Sequence, residues 1–143
     1  MTDVVDKATR SRMMAGIRGK NTKPEMIVRK ALHARGFRFR LNVKDLPGKP
    51  DIVLPKYKTA IFVHGCFWHW HNCKFFKLPQ TRTDFWEKKL SENKKRDALN
   101  IKKLRDLNWK VIVIHECELK TNRNITLSNL EHSIREAAIF NEE

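Results

Sequence analysis

The residues Thr59-Ala60-Ile61-Phe62-Val63 form an uncharged, mostly apolar run, and His64-Gly65-Cys66-Phe67-Trp68-His69-Trp70-His71-Asn72-Cys73 follows it without a break. A short apolar run of this kind reads as a strand covered on both faces, so its exit delivers the following residues to the end of a sheet. Those residues are rich in soft and nitrogen donors. Cys66, His71 and Cys73, joined by the distant Cys117, form a Cys₃His set of the kind that holds structural zinc tetrahedrally. The competing reading is three buried cysteines and a surface histidine. Zinc is favoured because every cysteine of the chain, with one closely spaced histidine, completes a ligand count. Such a site is closed, whereas a hydrolytic zinc keeps an open position. His64 and His69 are left over for chemistry, and Phe67 and Trp68, fixed beside Cys66, are flat rings suited to stacking on bases.

Charge points the same way. Lys and Arg number 30 against 16 Asp and Glu, a formal net charge of +14 spread along 143 residues, which suits a polyanionic partner such as nucleic acid. No segment approaches 18 consecutive apolar residues, so membrane spanning is excluded. The N-terminus lacks the pattern of a secretory signal, and three cysteines suit a zinc site better than disulfides. A cytoplasmic protein, drawn to the nucleoid through DNA, is therefore expected. The length predicts one domain, residues 21–143, preceded by a basic arm over residues 1–20. That arm carries Lys7, Arg10, Arg12, Arg18 and Lys20 around Met13 and Met14, with a short helix expected from Thr9 to Ile17.

Thr22-Lys23-Pro24-Glu25 has the form of a capping box opening a helix that Gly36 stops. Alternation over residues 37–43 predicts a half-buried strand, Pro50 to Leu54 a second, and Thr59 to His64 a central third. Asp84-Phe85-Trp86-Glu87 offers a cap for a long basic helix reaching Asn108, Trp109 to Ile114 is the last strand, and Ser128 caps a closing helix. A helical crossover before the last strand makes that strand parallel to a neighbour. The fold class is α/β, a mixed sheet flanked by helices as in restriction-endonuclease-like nucleases.

Asp51 is either a solvated turn acid or a carboxylate facing the end of the central strand, where it would hold Mg²⁺ against a phosphodiester. His64 and His69 are either hydrogen-bonded structural histidines or the groups that move a proton to or from water. Glu25 is explained by its capping position, although the same helix start can aim it at the sheet end. Phe67, Trp68, Trp86 and Met14 read as core or as wedges between base steps.

Asp6 to Ser11, Leu46-Pro47-Gly48-Lys49-Pro50-Asp51, His64 to His69, Thr81-Arg82-Thr83, Phe85-Trp86 and Glu116-Cys117 together resemble the very-short-patch-repair DNA mismatch endonucleases, over nearly the whole chain. The resemblance implies a structural zinc on Cys66, His71, Cys73 and Cys117, and Mg²⁺-dependent nicking 5′ to the thymine of a T·G mispair left by 5-methylcytosine deamination. It implies Asp51 as Mg²⁺ ligand, His69 as general base, and His64 and Glu25 as supporting groups. Phe67, Trp68 and Trp86 would enter the DNA stack from one groove and Met14 from the other, with Lys89 and Asn93 near the mispair; Arg12 is expected to touch DNA as a charge of the basic arm. Where the wider nuclease superfamily has an Asp/Glu-x-Lys element, Phe62-Val63-His64 stands here, so a second metal contact falls to the Val63 carbonyl. The substrate implied is double-stranded DNA carrying the mispair, with repair proteins and a methyltransferase as further partners. The rival readings are a nuclease of different specificity and a zinc-stabilised DNA-binding module without catalysis.

Overall fold

The computed structural model describes residues 22–141 apart from 67, 68, 70, 72, 74 and 75, and of residues 138–141 the backbone alone. The arm with Arg12 and Met14, and the rings of Phe67 and Trp68, lie outside the described residues. The elements are α1 (Lys23–Ala34), β1 (Arg40–Leu41), β2 (Ile52–Leu54), β3 (Thr59–His64), α2 (Thr83–Asp106), β4 (Lys110–His115), α3 (Glu116–Thr121) and α4 (Arg123–Asn141). The strands form one sheet in the order β1-β2-β3-β4. The first two pairings are antiparallel and β3 pairs β4 in parallel, which makes the sheet mixed. Among the described residues, no helix is long and apolar enough to cross a membrane.

Period two along the strands divides the interior into two layers. Ile52, Leu54, Ile61, Val63 and Ile114 face α1 and α4, meeting Val28, Leu32, Leu130 and Ile134. Ala60 and Phe62 face the other way and meet Leu104 and Ile101 of α2. β3 is buried at every residue, the polar Thr59 and His64 included, as a strand covered on both faces requires. The same alternation puts His64 and His115 on the α2 side, and Asp51, just before β2, in step with Val53.

Several local expectations are corrected. Thr22 is the N-cap of α1 but makes no side-chain capping bond, and the Glu25 carboxylate is turned inward and paired with Arg29 at 3.0 Å. The strand expected over residues 37–43 shortens to two exposed residues. Phe37 leaves the alternation to pack in the core, edge-on to Tyr57, and Asn42 turns the chain with φ 50°. α2 is capped not at Asp84 but at Arg82, which is left-handed at φ 54°, while the Thr83 hydroxyl donates back to the Pro79 carbonyl at 3.0 Å. α4 begins at Arg123, five residues before Ser128, and a short α3 that was not anticipated carries Cys117.

One close approach fixes α2 against the loop that leads to Asp51. Gly48 has φ +77°, and a Cβ built there would stand 2.9 Å from the Asn100 Cβ and 3.1 Å from Phe62 Cζ. Only glycine allows both that backbone and that distance.

Candidate functional site

The C-terminal end of β3 opens into a cleft of about 780 Å³, lined among others by Glu25, Asp51, His64, His69, Lys89 and Asn93. Four parts of the chain supply them: α1 brings Glu25, the residue before β2 is Asp51, β3 and its loop bring the histidines, and α2 brings Lys89 and Asn93. Trp86 is half-buried in the first turn of α2, edge-on to Phe85 at 5.2 Å, and is not among the residues lining the cleft.

Asp51 accepts a 2.7 Å hydrogen bond from the Val63 N–H on its Oδ2. Burial pushes its carboxyl up to about 6, and the Glu25 charge adds to the rise although the Val63 bond opposes it. Here, then, is a carboxylate that has lost water and gained, among the described residues, one neutral donor. Such a group favours a cation beside it, and carboxylate oxygens suit Mg²⁺.

The segment after β3 turns tightly, with His69 N–H on Gly65 O at 3.3 Å and His71 N–H on Cys66 O at 2.9 Å. The turn sends its donors to two places. Cys66, His71, Cys73 and Cys117 converge, with all four ligand atoms within 4.8 Å of one another. Cys66 Sγ and Cys117 Sγ stand 3.6 and 3.4 Å from the same His71 Nδ1. Sulfur and nitrogen ligands at about 2.3 and 2.0 Å from a shared tetrahedral centre stand about 3.5 Å apart, so the two distances fit two edges of a zinc tetrahedron. A single Nδ1 cannot serve two thiols equally well, and a central metal resolves that conflict. Burial pushes the Cys66 thiol up to about 12, so without metal the sulfur stays protonated.

His64 and His69 go elsewhere. Their rings stack at 3.7 Å with planes 4° apart, and His69 Nδ1 lies 2.5 Å from Asp97 Oδ2. Ring-nitrogen lone pairs lie in the ring plane, so two parallel rings do not aim at a common ion about 2.0 Å away. The His64–His69–Asp97 set is thus built for hydrogen bonding and not for metal, although its donor atoms also lie within 4.8 Å of one another. The contact to Asp97 places the His69 proton on Nδ1 and leaves Nε2 as a base. His64 is driven down to about 3, by burial first and then by His69, and stays neutral in the stack.

Asp97 was not singled out from the sequence. A signal existed: Lys89, Asn93 and Asp97 recur at four-residue steps on one face of α2. His115 and Arg96 were also passed over, and both stand at this end of the sheet.

Set beside known proteins, residues 2–75 match the family described as DNA mismatch endonuclease Vsr. A type II nicking enzyme, V.NmeAIP of Neisseria meningitidis, is 48% identical over 136 residues, covering 95% of this chain and 96% of that protein. The DNA mismatch endonuclease Vsr of Escherichia coli is 42% identical, covering 95% and 87%. A type II nicking enzyme of Xanthomonas oryzae, V.XorIIP, is 47% identical, covering 83% and 88%.

Proposed function

This chain belongs to the Vsr family of DNA mismatch endonucleases, hydrolases that nick DNA, and from that premise we propose that it uses Mg²⁺ to cut one strand 5′ to the thymine of a T·G mispair. The observation that carries the reading is the cleft that holds Asp51, His69 and Glu25 together at the end of β3. Asp51 and the Val63 carbonyl would hold the ion. Val63 already turns its N–H to Asp51, and a strand residue presents its C=O on the same edge. When bound, Mg²⁺ supplies positive charge against the phosphodiester oxygens.

The proton is handled by the chain. His69, with Nδ1 committed to Asp97, offers Nε2 to take a proton from water, while Asp97 steadies the cationic ring that results. His64, buried and stacked, keeps that ring from turning. Glu25, held by Arg29, adds negative charge beside Asp51 and so favours a cation there. The Cys₃His cluster would hold zinc and fix the loop that bears His69.

Choice of the mispair needs more than the +14 charge, because phosphate contacts such as one from Arg12 carry no sequence information. A T·G wobble is weakly stacked, so inserting Phe67, Trp68 and Trp86, with Met14 on the opposite side, costs less there than at a Watson–Crick step. Lys89 and Asn93 line the cleft, where they would meet the opened pair.

The test is nicking of labelled duplexes that differ only in one pair, with Mg²⁺, with chelator, and with Asp51→Ala. Cutting 5′ to thymine in T·G alone, lost with chelator and in the variant while T·G binding persists, is the expected result. Undiminished nicking by Asp51→Ala removes the metal assignment. Equal cutting of matched DNA would instead mark a nuclease of other specificity.

A further inference from the structure

His115 has no part in the chemistry above, yet it occupies the space between the two clusters. It ends β4 in register with His64 on the parallel neighbour. Its ring lies on His71 at 3.7 Å with planes 7° apart and meets His64 edge-on at 6.0 Å and 66°. His64 in turn stacks on His69. Four rings therefore run in contact from the Cys₃His cluster to the imidazole held by Asp97. The Nδ1 of His115 is buried and has no hydrogen-bond partner among the described residues. His115 also opens α3 in a capping box with Glu118, whose Oε2 accepts from the His115 N–H at 3.2 Å, so the side chain is set at the helix start with its ring packed against His71 and His64.

We propose that His115 is a positioning residue, whose ring transmits the placement of His71 in the Cys₃His cluster to His64 and hence to His69. Close-packed interiors pass displacement from neighbour to neighbour, and a gap beside His64 would let its ring tilt and release His69. The link follows from topology: His71 and His69 lie on one loop, and among the described residues β4 supplies the ring that spans the space between them. The inference rests on the reading of His69 as the proton acceptor.

Two variants separate ring from nitrogen. His115→Phe keeps a flat ring and discards both nitrogens, whereas His115→Leu fills space without a plane. Single-turnover nicking, duplex Kd, zinc per chain and the ¹⁵N–¹H imidazole spectrum of His69 would be measured for each. His115→Phe is expected within about threefold of the wild-type rate. His115→Leu is expected to fall on the order of 10–100-fold, the cost typical of removing a residue that orients a site from its outer shell. Its Kd and zinc content should stay unchanged while the His69 resonance broadens. A wild-type rate in His115→Leu overturns the proposal, as does an equal defect in both variants or loss of zinc from His115→Leu. His69→Ala, run beside them, keeps the two readings apart: a wild-type rate there removes His69 as the base. A slow His69→Ala with a normal His115→Leu removes only the positioning role.

Discussion

His64 and His69 are five residues apart, as are Cys66 and His71, and the two pairs interleave on one turn of chain. They nevertheless end in sites of opposite kind. The cluster of Cys66 and His71 draws on a single loop plus Cys117, with its donor atoms within 4.8 Å of one another. The histidine pair's set needs Asp97 from α2 beside it and Asp51, just before β2, across the cleft, and its rings lie parallel. The difference lies in donor shape. A thiolate binds from many directions and tolerates small errors of placement, whereas an imidazole donates only in its plane, so a stacked pair suits a carboxylate partner better than a shared ion. One cluster therefore draws on one loop and the start of α3, and the other depends on how three layers are held together.

The strongest way to break this contrast is through the sulfur cluster. Cys117→Ser should remove zinc and lower stability by more than about 4 kcal/mol, the range reserved for losses such as a structural metal, since metal binding is then folding free energy. Metal analysis with thermal unfolding checks it, and a zinc-free wild-type protein with a stable fold would end the assignment. His69→Ala should leave zinc and Tm alone and cut the single-turnover rate by roughly 10²–10⁴-fold, as expected of a general base. An unchanged rate returns His69 to a structural role.

A subtler separation comes from Asp97→Asn, which keeps the size of the side chain but offers His69 a neutral partner. Its rate should drop by about 10–100-fold with duplex Kd unaltered, and a matching loss of binding would show that Asp97 serves DNA contact instead. The smallest effect is expected at Gly48→Ala. The left-handed backbone and the 2.9 Å approach to Asn100 should cost roughly 1–3 kcal/mol of stability. Because Asn100 lies one turn beyond Asp97 on α2, nicking should slow more than zinc content changes. An equal fall in both would mean that Gly48 supports the sulfur cluster as much as the site around His69.

Much of the site could be read from residue order where the determinants were short-range. β3 forms over the residues expected, because an apolar run flanked by a turn and a ligand loop has few alternatives. The four zinc-type ligands converge as their spacing suggested, and Asp51, His64, His69 and Glu25 share one cleft. Other features were less legible. Phe37 looked like one step of an alternating strand but found a deeper place beside Tyr57. Glu25 fitted a capping box that does not form, and its carboxylate pairs with Arg29 instead. Cys117 was placed correctly past β4, while the helix that carries it was missed, since six residues hold too little periodicity to register.

The residue order by itself determined the layer sequence, the central strand, the donor set around Cys66 and the acid at Asp51, because each depends on spacing along the chain. Only the tertiary structure decided that Asp97 would stand against His69 and that His115 would bridge two ring stacks. Those contacts depend on the rotation of α2 above the sheet and on the parallel register of β3 with β4. Both are set by how side chains of distant segments interlock, and no local period encodes that outcome.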